Sequence, residues 1–174
     1  MRIYDNQRQG PLALAYIAAI IDGEGSIMIT RSTSGKGRKT PSYTPRVKVQ
    51  MTTLPCIQFI VDHTGLGKIN KEEDRKVRGN RRPLYQWQIH SLGDCHKFCD
   101  LIMPFIVLKE DQCALMLAYC ENFGKTEYRT YGVPDDVREY REEAYRLMGE
   151  LNSRHSAAET ESLSIREDEA TVRP

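Results

Sequence analysis

Residues 17–25, with the sequence IAAIIDGEG, join an apolar helix to two acidic residues flanked by glycines. Residues 11–21 include no charged residue, and we expect a helix that is apolar on every side to be buried on every side. Gly23 and Gly25 favour the end of this helix, because glycine accepts positive φ without a Cβ clash. The pattern predicts that Glu24 is held rigidly at a helix end, just before a strand. Its carboxylate is the first candidate for chemistry.

Small residues share one face of this helix, at the three- and four-residue spacing that places side chains on the same side. Such a face is suited to close approach of a second helix. If two copies of the helix pack through it, two Glu24 carboxylates meet at the bottom of the pair. The residues of this predicted interface are Ala15, Ala18, Ala19 and Asp22.

The stretch resembles the LAGLIDADG motif of the homing endonucleases, in which two motif helices pack together and the second acidic residue binds a catalytic divalent metal. Glu24 occupies that acidic position, and Ala19 replaces the central glycine of the family. The resemblance implies that Glu24 and the Gly23 carbonyl hold Mg²⁺ or Mn²⁺, since hard oxygen ligands suit such ions. The chain has one motif and no internal repeat, so the resemblance implies a homodimer that cleaves a long, nearly palindromic DNA duplex.

Hydrophobic periodicity predicts an α+β fold in the order helix, two strands, helix, two strands, helix. The four strands should form one antiparallel sheet with the helices on its dry face, and this order matches the αββαββα saddle of the family over about residues 12–122. The predicted elements are strands over 26–32, 45–53, around Ile69 and over 84–90, and helices over 54–63 and from Ser91 to about Met103.

The wet face of this sheet is rich in basic and amide side chains, and it faces the same way as Glu24. Arg and Lys can neutralise phosphates, while amides can bond base edges. The surrounding region, residues 31–90, has thirteen Lys and Arg against four Asp and Glu, whereas residues 110–174 have eight against fifteen. A basic centre of this kind indicates a polyanion-binding surface, although most charged sheet faces are simply solvated. The predicted DNA contacts are Met28, Thr30, Ser32, Arg46, Lys48, Gln50, Lys68, Asn70, Gln86 and Gln88, with Arg75, Lys76 and Arg78 in a basic turn.

Two further site residues follow from the resemblance. Lys109 ends a proline-containing link before a helix, where the family has a lysine that reaches the active site. Its implied role is to stabilise charge on the scissile phosphate or to polarise the attacking water. Thr53 stands near the end of the second strand, where relatives often have a water-orienting Gln or Asn.

The rest of the composition restricts the class of protein. The five cysteines form no CxxC pair, and we interpret them as reduced, mostly buried thiols. No apolar run is long enough to span a bilayer, and neither a signal peptide nor an organic cofactor is indicated, so we expect a soluble intracellular protein. Residues 1–151 are predicted to form one domain, which ends in an amphipathic helix over 134–151. Residues 152–174 are predicted to be a disordered tail.

The sequence leaves two other functions open. A protein of the same fold that binds DNA or RNA without cleaving it, such as an intron maturase or a regulator, would share the basic and amide residues. A protein–protein module that dimerises through the alanine face would show no salt-dependent affinity for DNA.

Overall fold

The computed structural model describes residues 10–33, 41–72, 83–123 and 133–171. The described elements run in the order α1 (Pro11–Glu24), β1 (Gly25–Ser32), β2 (Ser42–Met51), α2 (Leu54–Thr64), β3 (Lys68–Glu72), β4 (Leu84–Ile89), α3 (Leu92–Ile102), α4 (Glu110–Phe123) and α5 (Asp135–Thr171). The predicted α+β architecture is confirmed.

The four strands form one antiparallel sheet in the order β1-β2-β4-β3. β2 starts at Ser42, three residues before the predicted start at Pro45. A proline is compatible with this strand because Pro45 lies opposite Ile29 of β1, whereas β4 pairs only with the later part of β2, from Val47 to Met51. The missing N–H of Pro45 therefore costs no bond to β4.

The core lies between the dry face of the sheet and the helices. Its centre is Trp87 of β4, which is fully buried, packs 4.9 Å from the ring of Phe98 and donates from Nε1 to the Leu66 carbonyl at 2.9 Å. Ser91 caps α3 as predicted, since its Oγ accepts from the backbone N of Asp94 at 3.0 Å. None of the helices that the structure describes combines the length and apolar character needed to cross a membrane.

The end of α1 differs from the prediction, and the reason lies in packing. The helix continues through Gly23 to Glu24, and Gly25 has an extended backbone with φ of −86°. The expected positive φ is therefore wrong at Gly25. Instead, a Cβ atom at Gly25 would lie 2.7 Å from both Cα and O of Ile21. Glycine is needed there because β1 leaves the helix in close contact with its last turn.

The prediction that α1 is buried on every side is wrong for the single chain. Ile17, Ala18 and Ile21 are fully buried, but Leu12 is 88% exposed and Tyr16 is 47% exposed. An apolar stripe of the central helix therefore faces outward in the monomer.

The C-terminal helix is longer than predicted. Its backbone stays helical to Thr171, through the region predicted to be a disordered tail. Residues 152–171 include no Gly or Pro, the strongest helix breakers, and several good helix formers. Asn152 Nδ2 donates to the Ile27 carbonyl of β1 at 3.1 Å, so α5 contacts the sheet at this position. The buried face of α5 is formed by Ala144 and Met148, while Leu147 is partly exposed.

Candidate active site and nucleic-acid interface

The last turn of α1 is fixed by the carboxylate of Asp22. Its Oδ2 accepts from the backbone N of Val107 and its Oδ1 accepts from the backbone N of Lys109, each at 3.0 Å. These two N–H groups belong to the link between α3 and α4, more than 80 residues away in the chain. Asp22 therefore ties the link to the helix, which is a role that the sequence did not predict for it.

The side chain of Lys109 contacts the same helix end. Its Nζ donates to the carbonyl of Ile21 at 3.0 Å and also to the carbonyl of Asp22. A cation at a helix C-terminus is favoured by the helix dipole. The link thus places the predicted active-site lysine at the end of α1. The Asp22 carbonyl that it contacts is two residues before Glu24 in the chain.

Glu24 is exposed and stands at the junction of α1 and the sheet. Gly25, which follows Glu24, pairs with Val49 of β2, so Glu24 lies at the end of the sheet where Gln50 follows on the neighbouring strand. Gln50 is therefore an amide at the same end of the sheet as the acidic residue, a relation that the sequence alone did not predict.

Thr53 lies beyond the end of β2 and is the N-cap residue of α2. It is exposed, and its side chain makes no capping hydrogen bond. Thr53 lies at the same end of the sheet as Glu24, three residues beyond Gln50 in the chain and outside the paired strands. The sequence alone did not predict with single-residue accuracy that β2 ends between these two candidates.

The predicted wet face is formed as one surface. The register aligns its side chains in cross-strand rows, with Met28 beside Arg46, and with Ser26, Lys48, Gln88 and Lys68 in a row. A second row contains Gln50, Gln86 and Asn70. None of the side chains described on this face is acidic. The nearest acidic position in the register is Glu72, the last residue of β3. The surface is electropositive and rich in amides.

The amides in these rows are connected. Gln50 Nε2 donates to Gln86 Oε1 at 2.9 Å, and Gln86 Nε2 donates to Gln88 Oε1 at 3.0 Å. On β1, Thr30 Oγ1 donates to the Thr44 carbonyl at 3.1 Å, and Ser32 pairs with Ser42 at the end of the hairpin. The predicted contacts Arg75, Lys76 and Arg78 lie outside the described residues.

The open face of α1 includes only some of the residues of the predicted interface. Ala19 is exposed and Ala15 is partly exposed, as an interface requires, but Ala18 is fully buried in the core of its own chain. Asp22 is engaged with the link. The outward stripe instead comprises Leu12, Ala15, Tyr16, Ala19 and Gly23, and the exposed Val107 and Leu108 lie at its lower end. Exposure, rather than spacing alone, decides which small residues are available.

The donor chemistry at the end of α1 fits a hard divalent cation. Each chain supplies one exposed carboxylate, Glu24, next to a helix terminus whose carbonyls carry partial negative charge. Gly23 is exposed one residue beyond the carbonyls that Lys109 caps. In the part of the chain that the structure describes, no group of three or more His, Cys, Asp and Glu side chains could hold a metal by itself. A metal at Glu24 would therefore need ligands from outside the chain.

No family model and no curated protein matches the chain. Solved structures do match. The homing endonuclease I-CvuI, in complex with a DNA target, has a TM-score of 0.65 at 15% identity over 80% of this chain and 82% of that chain. The archaeal intron-encoded homing endonuclease I-Vdi141I, complexed with DNA, has a TM-score of 0.63 at 13% identity over 80% of this chain and 84% of that chain.

A third match is to a longer chain. The LAGLIDADG homing endonuclease I-GzeII, in complex with its DNA target, has a TM-score of 0.60 at 15% identity, over 76% of this chain and only 43% of that chain. The present chain therefore has the fold of the LAGLIDADG homing endonucleases.

Proposed function

We propose that the protein is a site-specific DNA endonuclease that hydrolyses phosphodiester bonds with a divalent metal, Mg²⁺ or Mn²⁺. The observation that carries the proposal is the position of Lys109 Nζ on the carbonyls of Ile21 and Asp22, beside Glu24. The ammonium group is thus fixed on the last turn of the helix that ends in Glu24, at one edge of a basic, amide-rich sheet face. The membership of the chain in the LAGLIDADG family is part of this proposal, as is the cleavage of double-stranded DNA.

In this proposal the chain residues have separate roles. Glu24 and the Gly23 carbonyl hold the metal, which supplies Lewis acidity to the phosphate and an activated water. Lys109 places a positive charge near the scissile phosphate, where negative charge develops. Gln50, at the same end of the sheet as Glu24, orients the attacking water. Thr53 remains the candidate that the resemblance implied.

A single chain supplies one Glu24, whereas cutting both strands requires two such groups. The outward stripe of α1 supports a homodimer in which two copies of the helix pack along a two-fold axis. Leu12, Tyr16 and Ala19 would then be covered, and the two Glu24 carboxylates would meet beneath the helix pair. Gly23 supports this geometry because, beyond its own helix backbone and among the residues that the structure describes, an added Cβ would meet no atom within 4 Å.

The proposed substrate is a long, nearly palindromic duplex. Two copies of the sheet would follow the major groove on either side of the axis, since that groove admits β-ribbons. Arg46, Lys48 and Lys68 provide phosphate or base contacts, and Gln86 and Gln88 provide amide contacts to base edges. Met28, Thr30, Ser32 and Asn70 complete the predicted surface.

Cleavage can be tested without knowing the target in advance. Duplexes bound by the protein are selected from a random pool in EDTA, and an enriched sequence is cloned into a supercoiled plasmid. With Mg²⁺ or Mn²⁺ the protein should convert that plasmid to the linear form, and a plasmid without the insert serves as the control. Binding without any cutting in either metal would instead favour the non-cleaving nucleic-acid-binding function.

The homodimer has its own test. Ala19→Arg should convert the protein to a monomer in sedimentation equilibrium, because it places two like charges in the proposed seam. Ala114→Arg is the matched control, since Ala114 is an exposed alanine in α4. A wild-type protein that is monomeric at all concentrations, with and without DNA, would contradict the proposed assembly.

A further inference from the structure

Three donor-bearing side chains lie next to one another across the middle of the sheet face. Lys48 of β2 and Lys68 of β3 both pair with Gln88 of β4, so the glutamine stands between two lysines. We call Lys48, Gln88 and Lys68 the donor row. A lysine ammonium can only donate hydrogen bonds. Two of the three positions therefore offer donors irrespective of side-chain rotation.

The neighbouring amides hold Gln88 in one orientation. Its Oε1 accepts from Gln86 Nε2 at 3.0 Å, and Gln86 Oε1 in turn accepts from Gln50 Nε2 at 2.9 Å. With its oxygen bonded to Gln86, Gln88 has its amino group left to donate to a ligand. The whole donor row then offers N–H donors to a ligand.

We infer that the donor row makes the protein specific for guanine at the base pairs it faces, an inference that rests on the proposed DNA-binding function. In the major groove guanine presents two acceptors, N7 and O6, while adenine presents an acceptor and a donor. A glutamine that pairs bidentately with adenine uses both its oxygen and its amino group. Gln88 lacks a free oxygen for that pairing, and neither lysine can replace it.

The specificity should be confined to a short block of each half-site. The second row, with Gln50, Gln86 and Asn70, lies two residues away along each strand. That separation is about 7 Å, since a strand rises about 3.3–3.4 Å per residue. It corresponds to about two base-pair rises of 3.4 Å. The base pairs that face the donor row, which we call the guanine block, are therefore next to the base pairs that face the second row but do not overlap with them.

Within this inference Gln86 is a positioning residue. Its hydrogen bond holds the Gln88 oxygen, which leaves the Gln88 amino group for the DNA. Loss of Gln86 would free the Gln88 amide to rotate. Gln86→Ala should therefore admit adenine at the position that Gln88 reads and lower the preference for guanine over adenine about ten-fold, which corresponds to one good base contact. A purely structural role for Gln86 would weaken binding to all sequences equally.

The experiment is selection of bound duplexes from a random pool in EDTA, followed by sequencing, for the wild type and three variants. The wild type should enrich a guanine block in each half-site. Lys68→Gln should relax one guanine position in that block, and Gln86→Ala should turn one guanine position into a mixture of guanine and adenine. Lys71→Gln is the matched control, because Lys71 is an exposed lysine on the same strand whose register alternates with that of Lys68.

Each outcome of the selection experiment supports or overturns the inferred guanine specificity. Enrichment of adenine in the block, or enrichment of a site with no base preference there, overturns the inference and leaves DNA binding intact. If Lys68→Gln lowers affinity for all sequences equally, the lysine contacts phosphate and the inference is also overturned. If no duplex is enriched at all, the proposed function fails together with it.

Discussion

Asp22 and Lys109 hold one another at the end of the central helix. The carboxylate of Asp22 accepts from the backbone N of Lys109, and the ammonium group of Lys109 donates to the backbone carbonyl of Asp22. Each residue thus uses its side chain to bind the main chain of the other. The contact fixes the link to the helix end and sets the position of Lys109 relative to Glu24.

Removing the Asp22 carboxylate should destabilise the fold. Asp22→Ala leaves the N–H groups of Val107 and Lys109 without their charged acceptor. The expected loss is about 2–4 kcal/mol in the free energy of unfolding, since hydrogen bonds to charged groups contribute about 1.5–3 kcal/mol each and the solvent-exposed bond from Val107 contributes less than that. Urea denaturation at fixed protein concentration measures it. Asp100→Ala, at an exposed position of α3, should change the value by no more than about 0.5 kcal/mol.

Lys109→Met should separate cleavage from binding. The substitution keeps most of the side-chain volume but removes the charge beside Glu24. If the ammonium stabilises the transition state, single-turnover cleavage should slow by about 10²–10³-fold, while the Kd for the target in EDTA changes only a few-fold. Lys97→Met, at an exposed position of α3, is the control for loss of one positive charge. Equal losses of affinity and rate would show that Lys109 serves binding.

The turn between α2 and β3 offers a comparison of two glycines. Gly65 and Gly67 both have positive φ, 68° and 81°, but only Gly67 packs against Trp87. A Cβ on Gly67 would lie 2.8 Å from Cε2 of Trp87 and 2.9 Å from the Gln88 carbonyl. Gly65→Ala should therefore cost about 1–2 kcal/mol from backbone strain alone. Gly67→Ala should cost about 1–3 kcal/mol more.

The fluorescence of Trp87, the only tryptophan of the chain, provides the measurement for this pair. Gly67→Ala should also shift the native emission spectrum, because it displaces the indole that donates to Leu66. Gly65→Ala should leave that spectrum unchanged. Equal destabilisation by the two substitutions would contradict the packing described for Gly67.

The buried thiols predict a loss of stability at alkaline pH. Burial raises the pKa of Cys95 from 9.0 to about 12 and that of Cys120 from 9.0 to about 11. Above pH 9 the unfolded thiols lose protons that the folded protein keeps, so the free energy of unfolding should fall as the pH rises. The slope is about 1.4 kcal/mol per pH unit for each thiol, up to its folded pKa.

Stability curves at pH 8 to 10.5 test this prediction. The double variant Cys95→Ala, Cys120→Ala should show a shallower decline above pH 9 than the wild type, which separates the thiols from other groups that titrate in the same range. Identical declines would mean that these thiols do not govern the alkaline limit. A thiol reagent at pH 8 should modify the partly exposed Cys56 first in the native protein.

The periodicity of the sequence was sufficient to predict the architecture, because the strands and most of the helices bury one side. Alternation placed Lys48, Gln88 and Lys68 on one face before any pairing was known, and the register confirmed the arrangement as rows. What the sequence could not predict were relations between distant residues. The Asp22–Lys109 contact joins residues 87 apart. No local pattern encodes it.

The errors also have physical causes. Ala18 and Ala19 are adjacent small residues, and only the direction of the core decides that Ala18 is buried and Ala19 exposed. Gly25 was assigned a turn conformation, whereas its requirement is close packing against Ile21. The polarity of residues 152–171 suggested disorder, but a segment of good helix formers can continue a helix that the core has already nucleated.

The most direct test of the account is the effect of Glu24→Gln on bound DNA. The substitution preserves shape and removes the proposed metal-binding charge at an exposed position. With saturating protein and a selected target in Mg²⁺, the wild type should cut both strands, while Glu24→Gln should bind with the same affinity or more tightly and leave the duplex intact. A Glu24→Gln protein that cuts at the wild-type rate would contradict the central claim that this carboxylate carries the reaction.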